Sequence, residues 1–287
     1  MHMNFKKIAV IGKYQDTQLR ESLATLIEFL LSQGKEVVLE AETARCANMQ
    51  TYATNPIENI GRVVDMAIVL GGDGTMLGVA RALLASQTPL LGINRGRIGF
   101  LTDISAENML EELAKILAGD MQIEQRLMLE ATVIRSGQEL SRKLALNDVV
   151  ISKGEVARLI DLEIEIDGQF LHRQRSDGLI IATPTGTTAY ALSAGGPILH
   201  PTLEAITLVP ICPHTLSNRP ITINSASQIS IRLADKEASR VHFDGQAKLV
   251  LQQGDEVRVC RATKTIPLIH PAGHSHYEML CKKLHWG

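Results

Sequence analysis

The chain has 287 residues, 45% hydrophobic, 3% aromatic and 21% charged, with a formal net charge of −2. That length suits one large domain or two, with two favoured; the charge gives no electrostatic case for nucleic acid, and so few aromatics disfavour a stacking platform for single strands. No apolar run reaches the length of a membrane span, residues 1–7 lead into a short strand-like run and not a signal-peptide core, and Cys46, Cys212, Cys260 and Cys281 form no Cys-x-x-Cys, so a cytoplasmic protein with reduced, mostly structural thiols is expected.

In chain order, residues 7–11 read as a strand, and Leu19, Leu23, Leu26/Ile27 and Leu30 recur at helical spacing up to a stop at Gly34. Residues 36–39 read as a second strand and 66–70 as a third. The third runs into Gly71-Gly72-Asp73-Gly74-Thr75, with a helical pattern from Thr75 to about Ala85. Strand, glycine turn and helix start expose backbone N–H groups at the positive end of a helix, which suits a phosphate. A carboxylate repels phosphate, so Asp73 fits better as a base or as an acceptor for a sugar hydroxyl; an ordinary glycine-rich βα turn is the plainer alternative. The stretch is not a P-loop, because no lysine follows Gly74, and it lacks the third glycine of a dinucleotide fingerprint. Residues 89–93 read as a short buried strand, 94–100 as a loop whose Arg95 and Arg97 are suited to neutralise phosphates, and 107–117 as a helix. This alternation predicts a parallel sheet with helices on both faces and ligands at the carboxyl ends of its strands.

After Gly119, short strand-like runs take over. Asp167-Gly168 sits between runs 162–166 and 169–172, a hairpin signal, and residues 221–223, 229–231 and 257–259 alternate or are β-branched. Tyr277, Leu280, Cys281 and Leu284 recur at helical spacing. The expected organisation is α/β plus all-β: a Rossmann-like domain over 1–122, a β-rich, sandwich-like domain over 123–269, and a helix over 270–287 that returns to the first domain.

Asn147-Asp148 precedes an apolar strand; the pair suits sugar hydroxyls and a base edge, or simply caps the strand as an Asx turn. Ser176-Asp177-Gly178 reads as a turn. Residues 183–197, rich in Thr, Gly and Ala, are too many for one turn and too uncharged for a solvated face, so their backbone and hydroxyls are candidates to line a nucleotide pocket; a close-packed crossover is the alternative. His270, His274 and His276 match no zinc spacing and read as solvated tail residues.

Together these segments resemble the bacterial NAD kinase family. The resemblance is carried by Gly71-Gly72-Asp73-Gly74-Thr75, Gly92-Ile93-Asn94, Gly99-Phe100-Leu101-Thr102, Asn147-Asp148, Ser176-Asp177-Gly178-Leu179, the stretch 183–197, Pro213-His214-Thr215-Leu216-Ser217, Arg219-Pro220 and Asp244-Gly245-Gln246, in family order over nearly the whole chain. It implies a Rossmann-like domain, a β-rich domain and a final segment packing back on the first. It also implies transfer of a phosphoryl group from ATP, or in some members polyphosphate, to the adenosine ribose 2′-hydroxyl of NAD, giving NADP.

By the same resemblance Asp73 is the general base, with Gly72, Gly74 and Thr75 beside it. Asn147 and Asp148 hold adenine and ribose. Thr188, Ala189, Tyr190, Ala191, Leu192 and Ser193 form the adenine-side wall, Asp177 lies near the nicotinamide carboxamide, and Arg158, Arg175 and Gln246 occupy further NAD or ATP positions. Members often carry Ser where this chain has Ala191, so that hydroxyl is missing. Mg2+ is expected to be held mainly by the donor phosphates, with no protein cage, and the chain to be a homo-oligomer, dimer or tetramer. Two rivals remain at this level: a diacylglycerol- or sphingosine-type lipid kinase, which shares the glycine–aspartate motif but needs an apolar acceptor pocket, and a non-catalytic dinucleotide sensor, in which Asp73 would be an encumbrance beside phosphates.

Overall fold

The computed structural model describes residues 5–12, 19–96, 99–154, 158–215, 217–234 and 239–286. They fall into two units, Met1–Gln125 with Ile266–Gly287, and Arg126–Thr265. Among the described residues no helix is long and apolar enough to cross a membrane. All four cysteines are free, but Cys46, Cys212 and Cys281 are exposed instead of sitting in a core.

The first unit begins β1 (Lys7–Gly12), α1 (Leu19–Ser32), β2 (Glu36–Glu40), α2 (Ala41–Cys46), β3 (Thr54–Asn55), α3 (Ile57–Ile60) and β4 (Met66–Leu70). It continues with α4 (Asp73–Leu83), β5 (Leu90–Asn94), β6 (Ile104–Ser105), α5 (Met109–Leu117) and β7 (Met121–Arg126). The apolar stripe of α1 puts Leu23, Leu26, Ile27 and Leu30 into one core with Val10, Leu39 and Ile68, each contributing about 1.5–3 kcal/mol of burial. Gly34 takes a positive φ of 70°, the left-handed residue that ends such a helix. β4 and β5 are buried along their whole length, because a parallel sheet is covered on both faces.

The second unit is built from β8 (Leu129–Arg135), β9 (Gln138–Ala145), β10 (Asp148–Lys153), β11 (Ile160–Ile166), β12 (Gln169–Ser176), β13 (Gly178–Ala182), α6 (Tyr190–Ser193), β14 (Ala205–Ile211) and β15 (Ile221–Asn224). β16 (Ile229–Leu233), β17 (Ser239–Phe243), β18 (Ala247–Leu251) and β19 (Glu256–Arg261) complete it. The chain then re-enters the first unit through β20 (Ile266–Pro271) and α7 (His276–Leu284). The returning segment therefore starts with a strand, ahead of the terminal helix.

In the first unit the strand order is β3-β2-β1-β4-β5-β20-β7, with β6 also on β5; pairing is parallel from β3 through β20 and between β5 and β6. The order reverses between β1 and β4, the switch point where open α/β sheets bind ligands, and the glycine turn follows β4. The second unit holds two six-stranded antiparallel sheets, β15-β14-β13-β10-β17-β18 and β12-β11-β16-β19-β8-β9. Residues of both line one apolar core, Val149, Ile151 and Ile181 from one and Ala131, Leu162 and Val259 from the other, which makes it a sandwich. Asp167 and Gly168 both have positive φ between β11 and β12, the two-residue hairpin turn expected from that dipeptide.

Candidate functional site

Asp73 opens α4 directly after Gly71 and Gly72, two residues ahead of the expected helix start, with Gly72 as the N-cap. A Cβ at Gly71 would crowd Thr75, so glycine lets the chain leave β4 and turn at once into the helix. Asp73 is partly buried, and its carboxylate is an acceptor for the loop that follows β5. Phe100 N–H donates to Oδ2 (2.9 Å); Leu101 N–H (3.1 Å) and the Thr102 hydroxyl (3.0 Å) donate to Oδ1. The Thr102 hydroxyl in turn accepts from Asn94 Nδ2 at 2.8 Å. A Cβ at Gly99 would run into the Asp73 carboxylate, so the loop closes on Asp73 only with glycine there. Thr102 and Asn94 were legible as motif residues, but nothing in the sequence said that they hold Asp73. Arg95 is half-buried at the start of this loop, and Arg97 lies outside the described residues.

In the second unit, alternation along β10 puts Val149 and Ile151 into the sandwich core and Asp148, Val150 and Ser152 on the opposite face. Part of that face is covered by α6, whose Ala191 packs against Val150, Ile180, Ala182 and Val209. What remains is a pocket of about 400 Å³ lined by Asn147, Asp148, Val150, Ser152, Ala189, Tyr190, His242, Asp244 and Gly245. The Tyr190 ring is 47% exposed at this pocket. Val150 pairs across the sheet with His242, which is how β17 comes to line the same pocket.

Asp244, at a positive φ of 52° in the turn after β17, accepts the backbone N–H groups of Leu146 (3.1 Å), Asn147 (2.8 Å) and Asp148 (3.2 Å). It thereby sets the path of the Asn-Asp segment. Burial, and then the charge of Asp244, push the Asp148 carboxyl up to about 7. The sequence signal for Asp244 was its place in the motif Asp244-Gly245-Gln246, which did not say what it holds.

Within the stretch 183–188 several hydroxyls meet backbone carbonyls. The Thr183 hydroxyl donates to Leu146 O (2.6 Å) and Thr187 to Pro184 O (2.6 Å), while Thr188 donates to Thr185 O (3.1 Å). Thr183, Thr185 and Thr187 are buried, and the Thr187 and Thr188 hydroxyls brace a 3-10 turn, Thr185–Thr188. A Cβ at Gly186 would run into the Asn147 carbonyl, so this turn and the Asn-Asp segment fix each other. Ala191 is fully buried, and its methyl belongs to the core; a hydroxyl there would point into apolar packing.

Leu192 is half-buried and Ser193 exposed. Asp177 pairs with Lys153 Nζ at 2.6 Å. Arg158, Arg175 and Gln246 are exposed on the second unit, outside the residues that line the pocket. The expectation of solvated tail histidines is overturned for two of the three: His270 is 1% exposed, and the His274 side chain 7%. The cause is β20, which carries His270 into the sheet.

A family model described as ATP-NAD kinase N-terminal domain matches residues 8–121, and one described as ATP-NAD kinase C-terminal domain matches residues 146–271. The chain is 49% identical over 287 residues to the NAD kinase of Thiobacillus denitrificans, covering 100% of this chain and 99% of that one. It is 50% identical over 287 residues to the NAD kinase of Aromatoleum aromaticum, with 100% and 96% covered. Among solved structures, a yeast NADH kinase complexed with NADH superposes with a TM-score of 0.90 at 26% identity, covering 99% of this chain and 89% of that one. An NAD kinase from Archaeoglobus fulgidus in complex with ATP superposes with a TM-score of 0.78 at 27% identity, covering 97% and 98%.

Proposed function

The chain belongs to the NAD kinase family and is a phosphotransferase using ATP and NAD, and on that premise we propose that Asp73 is the general base on the adenosine ribose 2′-hydroxyl. The observation that carries this reading is the Asp73 carboxylate itself, at the start of α4 beside glycines and gripped by the loop after β5. An ionised carboxylate has about four acceptor positions. Among the described residues two donors occupy Oδ1 and one occupies Oδ2, so Oδ2 is the oxygen with room for a substrate hydroxyl.

As the ribose oxygen bonds to the γ-phosphorus, its proton passes to Oδ2 and the bond to the leaving nucleoside diphosphate breaks. A poor nucleophile gains from such a base, as protein kinases illustrate. The N–H groups at the start of α4 favour an anion. Mg2+, when bound, would be held by the donor phosphates and water and would supply neutralisation of the charge that develops on transfer.

The second unit's pocket takes the adenosine end of NAD. The exposed face of Tyr190 suits a base, and Asn147 and Asp148 suit the base edge and ribose hydroxyls. Asp177, Arg158, Arg175 and Gln246 act further along the dinucleotide. Thr188, Ala189, Ala191 and Leu192 contribute through the backbone they shape, with Ser193 at the rim. The enzyme works in the cytoplasm as a homo-oligomer; the exposed Leu140 and Phe170 on edge strands β9 and β12 are apolar surface that assembly would cover.

A matrix of ATP or polyphosphate against NAD or a diacylglycerol, each with Mg2+ or with chelator, tests the reading. NADP is expected from ATP and NAD with Mg2+. A phosphorylated lipid extracted into organic solvent, or no NADP from any donor, would overturn it.

A further inference from the structure

We infer that Asp103, His270 and His274 form a binding site for one divalent cation of the zinc class, which clamps the returning C-terminal segment to the loop after β5. Topology assembles the cluster. β20 pairs with the first part of β5, at Leu90 and Leu91, and β6 with its last part, at Ile93 and Asn94. His270 follows the last paired residue of β20, and Asp103 precedes the first residue of β6, so the two meet along one edge of β5. His274 lies in the turn before α7.

The donor atoms converge. Asp103 Oδ2 is 2.9 Å from His270 Nδ1 and 2.8 Å from His274 Nδ1, and one ligand atom from each of the three residues lies within 4.8 Å of the others. Two ligands at the tetrahedral angle on a cation, each at about 2.1 Å, are about 3.4 Å apart, so a movement of about half an ångström separates this arrangement from a coordinated one. Without a cation these contacts are Nδ1–H···O hydrogen bonds. On coordination each ring proton moves to Nε2, and on His270 that atom lies 3.9 Å from Glu124 Oε2. A carboxylate behind a ligating imidazole orients it and raises its basicity.

Charge gives the second argument. Asp103 Oδ1 is buried with no hydrogen-bond partner among the described residues. The His270 and His274 rings stack with centroids 4.1 Å apart, and both present Nδ1 to the same carboxylate oxygen. A divalent cation bound by both oxygens of Asp103 would offset the buried charge and give Oδ1 a partner. Two imidazoles and one carboxylate suit Zn2+ or Co2+; Mg2+ and Ca2+ prefer all-oxygen sets. The fourth position is left for water. Asp103 directly follows Thr102, whose hydroxyl holds Asp73, so the clamp secures the loop on which the base depends.

The experiment titrates chelator-stripped full-length chain with Zn2+ by calorimetry and with Co2+ by visible absorption, each in a large excess of Mg2+, and follows melting with and without Zn2+. One Zn2+ per chain, a Co2+ spectrum of low coordination and a rise in melting temperature are expected. At least a tenfold loss of Zn2+ affinity is expected in His274→Gln and in Asp103→Asn, and none in His200→Gln, remote in sequence and unit. No saturable binding by the wild-type chain overturns the inference, as does displacement by Mg2+, or binding that survives both cluster substitutions. The wild-type titration is decisive even where a variant fails to fold.

Discussion

Replacing Asp148 by asparagine separates what this carboxylate does for the fold from what it does for NAD. Its proton affinity is raised to about 7, from an ordinary 3.8, by burial and then by Asp244. The folded chain therefore binds the proton more tightly than the unfolded one. The stability linked to it is fully present below the ordinary value and is lost as pH rises through about 7. One pKa unit is about 1.4 kcal/mol, so the ionised carboxylate opposes folding by up to about 4 kcal/mol at alkaline pH. Asp148→Asn removes that charge at every pH. Its melting temperature should match the wild type near about pH 3, below the ordinary value, and exceed it increasingly above that, by several degrees near about pH 8.

Substrate binding runs the other way. Ribose hydroxyls donate to the ionised carboxylate, so the wild-type KM for NAD should fall as pH rises through about 7. A hydrogen bond to a charged group is worth about 1.5–3 kcal/mol, so KM in Asp148→Asn should rise about 10- to 100-fold with that pH dependence gone and kcat modestly lower. Coupled detection of NADP gives both constants, and thermal scans at the two pH values give stability. An equal melting difference at both pH values, or an unchanged KM profile, would refute the reasoning.

Gly99→Ala forces a methyl into the Asp73 carboxylate and should lower kcat by about 10²-fold, the cost of a misplaced reacting group, with a smaller change in KM for NAD; steady-state kinetics check this. Gly186→Ala drives a methyl into the Asn147 carbonyl and should raise KM for NAD while lowering stability by about 1–3 kcal/mol, read by denaturant melts. Chelation with EDTA should abolish turnover and Mg2+ should restore it; full activity in chelator would show that the donor needs no metal.

Local signals were the ones legible in the sequence. Glycines crowd Asp73 because the chain turns from β4 into α4 with no room for a Cβ at Gly71, and the same density makes the motif readable. Asp167-Gly168 announced its hairpin because both residues must adopt positive φ. Long-range polar contacts were not legible. Asp244 reaches back about a hundred positions to the Asn-Asp segment, and its motif gave no sign of that contact. The Asp103 and His270 side chains meet across 167 positions only because β20 joins β5 on the edge that β6 also uses. Composition likewise does not reveal which carbonyl each hydroxyl of residues 183–188 will meet.

The role of Asp73 is tested most directly by Asp73→Asn, with kcat measured by coupled NADP detection and NAD affinity by calorimetry on the same preparation. Asparagine keeps the shape and one acceptor oxygen for the loop but cannot take a proton. Thr102→Val, which removes one donor and leaves the base, serves as the control and should keep most of the turnover. In Asp73→Asn a fall in kcat of about 10²–10⁴, with NAD affinity within a few-fold of wild type, is the predicted result. Near-full turnover in Asp73→Asn would contradict the account and leave Asp73 as a residue that only holds the loop.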